Sequence, residues 1–208
     1  MYGYSSKEEF NNVPVSARFY DLNDRIRWLK LVQEQGKVEG LEIQLRRKDG
    51  TLFWASFNTL PQTIGSGEKR ILNVIQDITE RKQARMKLEQ AAEEWQTTFD
   101  SITDMISVHD KDHRIVMVNK AWADTFKMPP QAFIGRYCYE IVHGTDSPTA
   151  NCPLDRTFKT GTTELMEMFE PHLGLWLQIS TSPIMGKNRE VTGVVHSMRD
   201  ISIGKKLQ

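Results

Sequence analysis

The sequence predicts an α+β fold in which one small unit occurs twice, the first copy lacking its N-terminal part, with a long helix between the copies. Three observations lead there. Three strand-like segments with matching landmarks close both halves of the chain. Two further strands and a helix precede them in the second half only. A stretch without Gly or Pro separates the halves.

The first unit is expected over residues 1–79. Leu41, Ile43 and Leu45 alternate with polar residues over 39–45, the period of a half-buried strand. Asp49-Gly50, in the basic run Arg46-Arg47-Lys48-Asp49-Gly50, is a hairpin signal. Residues 51–61, rich in Phe, Trp and Thr, make the returning strand. A Gly-rich turn through Gly65-Ser66-Gly67 leads to a third strand over 70–76, which runs into Asp77-Ile78-Thr79-Glu80-Arg81-Lys82.

The second unit is expected over 102–203. Residues 105–110 and 114–119 read as strands flanking an Asp-Lys-Asp-His turn. Asn119 can cap a helix over 120–126 that carries Trp122 and Phe126 on one face, and Pro129-Pro130 stops it. Short helices or loops reach to about Gly161. Strands over 163–170, with Met166 and Met168 on one face, then 175–183 and 190–199 follow, ending in Asp200-Ile201-Ser202. Trp54 corresponds to Trp176, Pro61 to Pro183 and Asp77 to Asp200. Residues 204–208 begin a further linker.

Between the units, residues 80–101 are rich in Lys, Glu, Gln and Ala, a strong helix composition. Asp77 and Glu80 have the spacing of a capping box. Leu88, Trp95 and Ile102 recur every seven residues, with Ala84, Ala91 and Thr98 between them, which is the seam of a short coiled coil. A shared seam predicts a homodimer; a helix packed on its own domain is the plainer alternative.

The order β-β-α-(short α)-α-β-β-β resembles a PAS domain. The resemblance rests on Ile115-Val116-Met117-Val118-Asn119-Lys120-Ala121-Trp122 and Arg199-Asp200-Ile201-Ser202 in the second unit. In the first it rests on Arg47-Lys48-Asp49-Gly50-Thr51 and Gln76-Asp77-Ile78-Thr79-Glu80-Arg81-Lys82. It implies a five-stranded antiparallel sheet with short helices on its concave face. The first unit departs from the pattern, because it has no counterpart of residues 104–125. That marks it either as part of a longer domain or as a domain completed by a partner chain.

Composition narrows the function. The 208 residues are 39% hydrophobic and 26% charged, ordinary for a soluble globular chain. Lys plus Arg and Asp plus Glu both number 27, so the formal net charge is zero and nothing in it points to a nucleic acid partner. No run approaches the roughly 18 apolar residues of a membrane span. The N-terminal residues lack the basic and apolar regions of a signal peptide. Two cysteines, Cys138 and Cys152, suit a reducing compartment, so a cytoplasmic location is expected.

No phosphate-binding Gly-rich loop, nucleophile elbow or paired-histidine zinc motif occurs. His109, His113, His172 and His196 show no spacing for catalysis. Asp77 and Asp200, each closing a last strand, read as caps at the strand-to-helix junction. With Leu88, Trp95 and Ile102 they are the candidate residues for signal transfer. Cys138, His143 and Cys152 could hold a soft metal such as zinc or iron, with His172, His196, Asp146 or another chain as fourth ligand. The plainer reading makes Cys138 a small buried hydrophobe and His143 a loop residue bonded to backbone.

The PAS resemblance implies a pocket between sheet and helices, lined by Phe126, Phe133, Ile141, Val142, Phe158, Met166 and Met168, which could take a small ligand or be a filled core. Gly135-Arg136-Tyr137-Cys138 is similar to the start of the flavin-binding LOV segment. However, Tyr137 and Tyr139 replace its Asn and Arg, and its Gln is absent. Residues 153–160 lack the His that haem-binding relatives place there, so neither flavin nor haem is favoured and no cofactor is required. The resemblance implies a non-enzymatic, dimerising sensory region of a larger signalling protein. A sensor histidine kinase is the expected output domain, with a cyclic-dinucleotide enzyme or chemotaxis-type transducer as alternatives. A ligand-free interaction scaffold and a metal or redox sensor are the competing functions.

Overall fold

The computed structural model describes residues 1–64 and 68–206, so the turn expected at Gly65-Ser66-Gly67 lies outside the described residues. The chain divides into two compact units, Met1–Ala92 and Glu93–Gln208.

In the first unit, β1 (Val38–Arg46), β2 (Leu52–Ile64) and β3 (Glu68–Asp77) form an antiparallel sheet in that order. The alternation is realised as expected. Leu41, Ile43 and Leu45 of β1 face the core beside Phe53, Ala55 and Phe57 of β2. The strands extend beyond the expected limits, since pairing runs out to Ile64↔Glu68.

Ahead of the sheet lie α1 (Lys7–Asn12), a 3-10 turn (Val15–Arg18) and α2 (Leu22–Gln35), none of which the strand pattern foretells. Local chemistry bounds α2. The Asp21 carboxylate accepts the Asn23 N–H at 2.8 Å, and Gly36 closes the helix at φ 72°, a left-handed conformation that costs glycine little. Trp28, Leu31 and Val32 pack on the core, and Trp28 Nε1 donates to Thr59 Oγ1 at 2.9 Å, pinning α2 to β2.

The second unit has five strands: β4 (Met105–Asp110), β5 (Ile115–Val118), β6 (Glu164–Glu170), β7 (Leu175–Met185) and β8 (Val191–Asp200). All neighbours are antiparallel, in the order β5-β4-β8-β7-β6. Between β5 and β6 come α4 (Lys120–Phe126), a 3-10 turn (Pro130–Ala132), α5 (Cys138–Val142) and α6 (Pro153–Thr160). Ile115, Trp122, Phe133, Leu154, Leu177, Val194 and Met198 fill the space between sheet and helices. Each such fully buried aliphatic side chain stabilises the unit by about 1.5–3 kcal/mol. A last helix, α7 (Ser202–Lys206), follows β8.

The intervening helix α3 runs from Thr79 to Ser101. Among its residues only Phe99 is buried, with Trp95 stacked on it at 5.0 Å. The seam residues are open: Leu88 is 72% exposed, Trp95 49% and Ile102, one residue past the helix, 38%. No described helix is long and apolar enough to cross a membrane.

Candidate functional site

Short helices α5 and α6 stand over the inner face of the second sheet and leave a cavity of about 90 Å³. It is lined by Cys138, Val142, His143, Cys152, Met166 and Met168, among others, with His196 on its wall. A pocket for a drug-sized ligand is about 300–1,000 Å³, so this one suits an ion or a very small molecule.

Of the expected pocket residues, Val142, Met166 and Met168 line the cavity. Phe126, Phe133, Ile141 and Phe158 do not, because ring packing claims most of them. Phe126 lies 5.1 Å from Trp122 and 6.1 Å from Phe133, and Phe158 stacks on His113 at 4.7 Å. Ile141 is buried in the core beside them.

The expected metal set is also rearranged. Cys138, His143 and Cys152 share the cavity but are not brought together as ligands. His143 Nδ1 is committed to the buried Glu170 carboxylate rather than to backbone, and Glu170 also accepts the His172 N–H at 2.9 Å. The side chains that do converge are His109, Cys138 and His196, all buried, with ligand atoms within 4.8 Å of one another.

Strand geometry makes this meeting. Successive residues of a strand alternate faces, so Ser107 and His109 of β4 point the same way. Ser107 pairs with His196 and His109 with Val194, which sets the two imidazoles diagonally on the inner face, ring centroids 5.8 Å apart. Cys138, at the start of α5, closes the group from the helix side. The sequence signal was the polar pair Ser107 and His109 alternating with the apolar Ile106 and Val108 of β4; spacing alone cannot show their meeting with Cys138.

Polar groups on this face are otherwise well satisfied. Thr157 and Thr181 share a hydrogen bond at 2.7 Å, and Thr181 also donates to the Pro153 carbonyl at 3.1 Å. His109 Nδ1 meets the His113 carbonyl at 3.3 Å, and Nε2 meets Ser107 Oγ at 2.9 Å. A carbonyl only accepts, so the proton sits on Nδ1 and the Nε2 lone pair takes the Ser107 hydroxyl. His196 is different: both ring nitrogens are buried and neither has a partner among the described residues. Leaving such a group unsatisfied costs about 1–3 kcal/mol.

Burial pushes the Cys138 thiol up to about 12, with Cys152 adding to it. Burial also holds His109 down to about 4 and His196 down to about 3. The unfolded chain therefore binds more protons than the folded one once the pH drops below the ordinary imidazole value near 6.5. Stability of the second unit is expected to be level between about pH 7 and pH 8, and to fall above the ordinary thiol value of about 8.5, where Cys138 ionises only in the unfolded chain. On the acid side it should fall between about pH 6.5 and pH 4, by on the order of 1 kcal/mol per pH unit for each histidine, so roughly 2–3 kcal/mol per pH unit for the two together. Denaturation midpoints of β8 amide protection across that range check this; a flat profile contradicts it.

A second candidate feature is the strand-to-helix junction, which occurs twice in matching atoms. The Ile78 N–H donates to the Trp54 carbonyl at 2.8 Å and the Ile201 N–H to the Trp176 carbonyl at 2.9 Å. Thr79 Oγ1 accepts the Trp54 N–H at 3.0 Å, and Ser202 Oγ the Trp176 N–H at 2.9 Å. Asp77 Oδ1 accepts the Thr79 N–H at 3.0 Å, and Asp200 Oδ1 the Ser202 N–H at 2.8 Å. Asp77 thus caps at the second residue on. The Glu80 half of the expected capping box forms no hydrogen bond among the described residues; Thr79 Oγ1 instead ties the junction together by donating to Asp77 Oδ1 at 2.7 Å.

Asp77 also pairs with Arg47 at 2.7 Å. Partial burial works against its charge, but the Thr79 and Arg47 hydrogen bonds outweigh it and hold the carboxyl below its ordinary value. A depressed carboxyl stabilises above the unfolded value near 4 and loses that contribution as pH falls further. Asp77→Asn is expected to raise exchange at the Thr79 amide at pH 7 by a few-fold and to flatten its acid dependence. Unchanged exchange contradicts the capping role.

A family model described as PAS domain matches residues 1–80 and 103–202. No curated protein matches the chain. Solved structures similar to it include the PAS domain of a Colwellia psychrerythraea protein (21% identity, 56% of this chain and 98% of that one, TM-score 0.40). Others are the PAS domain of Bordetella pertussis BvgS (18%, 59% and 94%, 0.43) and that of an HTR-like protein from Haloarcula marismortui (18%, 58% and 99%, 0.45).

Proposed function

The chain belongs to the PAS domain family, and from that premise we propose that it is the sensory and dimerising region of a larger cytoplasmic signalling protein. The observation that carries this reading is the duplicated junction. A displacement of β2 or β3 reaches α3 through the Trp54–Thr79–Asp77 hydrogen bonds, and a displacement of β7 or β8 reaches α7 through the matching set. Asp77 and Asp200 are in this reading the points of signal transfer.

The cavity supplies the sensing end. It opens beneath β8, the strand that carries both His196 and the exit at Asp200, so an occupant would bear on the output strand directly. Its size favours a small ligand over a large cofactor. The free cysteines, one buried and one half-buried, support the cytoplasmic placement. The output domain we assign is a sensor histidine kinase, and the present chain acts without chemistry of its own.

The exposed stripe of Leu88, Trp95 and Ile102 supports a second copy of the chain as the partner of α3. Two chains sharing a seam have discrete packings, and a sensor can bias one against another. In a Cys152→Ser background, single cysteines at 88, 95 and 102 are expected to crosslink between chains several-fold faster than cysteines at 87, 94 and 101. Equal rates around the helix would remove the dimer from this reading.

A further inference from the structure

We propose that His109, Cys138 and His196 of the second unit bind one monovalent copper ion, Cu(I), as a three-coordinate His-His-Cys site. The proposal names the ligand class of the cavity described above and rests on the sensory reading only for its purpose, not for its chemistry.

Four observations carry it. The ligand atoms lie within 4.8 Å of one another in a buried group. Metal–ligand bonds of about 2.0–2.3 Å put the ligands of one ion roughly 3.5 Å apart, so a contraction of about 1 Å closes the site. His196, buried on the cavity wall, has two nitrogens without partners among the described residues; one of them in the neutral ring carries a lone pair, and a metal is the partner that this lone pair takes.

His109 is already set as a ligand. Its Nδ1–H is held by the His113 carbonyl, the outer-shell bond that fixes the tautomer of metal-binding histidines. Its Nε2 lone pair is held only by the Ser107 hydroxyl, which can rotate away. The surroundings are soft: Met166 and Met168 present thioethers to the same cavity, and thiolate and thioether donors select Cu(I).

Charge selects among thiophilic metals. Two neutral imidazoles and one thiolate leave Cu(I) neutral, whereas Zn(II) would leave one unbalanced positive charge. A buried uncompensated charge is strongly penalised. Zn(II) could recover neutrality by taking Cys152 as well, which lines the cavity but stands outside the converged group. Binding transfers the Cys138 thiol proton to solvent as the Cu–S bond forms, with no change in oxidation state.

The experiment uses the full chain, purified without oxygen and stripped by chelation, titrated with Cu(I) against a chromophoric Cu(I) chelator and read in parallel by native mass spectrometry. One Cu(I) per chain is expected. His196→Leu removes a buried unpaired ring and replaces it with an apolar side chain, so it should fold at least as well as the wild type. It and Cys138→Ser should weaken Cu(I) by more than the roughly 10–100-fold that loss of an outer-shell partner costs. His143→Gln and Cys152→Ser should retain it.

Absence of stoichiometric Cu(I), retention of it by His196→Leu, or preferential uptake of Zn(II) with loss in Cys152→Ser would each overturn the proposal. Any of these with the α3 crosslinking pattern intact leaves the sensory reading standing. A flat crosslinking pattern with Cu(I) bound strikes the dimeric sensor and spares the metal site.

Discussion

Trp122→Ala is expected to unfold the second unit or lower its stability by about 3–5 kcal/mol, the range for truncating a large buried aromatic. Trp122 is fully buried in the first turn of α4, and its ring meets Phe126 at 5.1 Å, Phe133 at 6.3 Å and His196 at 6.3 Å. Removing the indole would leave a cavity between helix and sheet that these neighbours cannot close without leaving their own contacts. The indole N–H has no partner among the described residues, so Trp122→Phe loses area without breaking a hydrogen bond and should cost less than half as much. Amide exchange in denaturant separates the units. Protection of β8 should collapse in Trp122→Ala while that of β2 holds. Equal protection of β8 in the variant and the wild type would contradict the assignment of Trp122 as the keystone of this core.

Asn119→Ala is expected to cost about 3–4 kcal/mol, unusual for so small a side chain. The reason is that Asn119 uses its whole hydrogen-bonding capacity while buried. Its Oδ1 accepts the Ile106 N–H at 2.9 Å and the Trp122 N–H at 3.1 Å. Its Nδ2 donates to the Ile102 carbonyl at 3.1 Å and the Asp104 carbonyl at 2.8 Å. One amide thus caps α4 and ties the exit of α3 to β4. The cap alone is worth about 0.5–2 kcal/mol, and each buried group left unsatisfied adds about 1–3 kcal/mol. Asn119→Asp keeps the cap but turns an oxygen towards both carbonyls. It should therefore rescue protection of the Trp122 amide and not the order of residues 102–104. If Asp rescued both, the tie between α3 and β4 would have no energetic content.

That prediction also bears on transmission. Ile102 closes the exposed stripe of α3, and its carbonyl is one of the two that Asn119 holds. In the proposed reading, a change of packing at the stripe would reach the first strand of the second sheet through this side chain as well as through the short backbone link to β4. The equivalent coupling at the other end of α3 runs through Thr79 and Trp54.

Much of the fold could be read without coordinates, for a local reason. Strand alternation at Leu41, Ile43 and Leu45, the N-cap at Asn119, the Gly- and Pro-free run of α3 and the matched Asp77 and Asp200 are all features of near neighbours in the chain. Their signals lie in periods and caps, and the structure keeps each of them close to its expected limits. The helix α2 also had local signals, a cap at Asp21, a stop at Gly36 and the helically spaced Trp28, Leu31 and Val32.

The site was less legible because its parts are distant in sequence. Cys138, His143 and Cys152 are near one another along the chain and suggested a ligand set, yet Glu170 of β6 draws His143 away. His109 and His196 lie far apart and become neighbours only because β8 inserts between β4 and β7 in a register that opposes Ser107 to His196. By itself the sequence determined two unequal PAS units, the helix between them and the caps that bound it, since these depend on hydrophobic period and backbone chemistry over a few residues. Tertiary structure alone decided which thiol and which imidazoles converge, and which ring is left without a partner among the described residues. Those follow from long-range strand register, where a one-residue slip of β8 against β4 would have turned His196 to the face opposite His109.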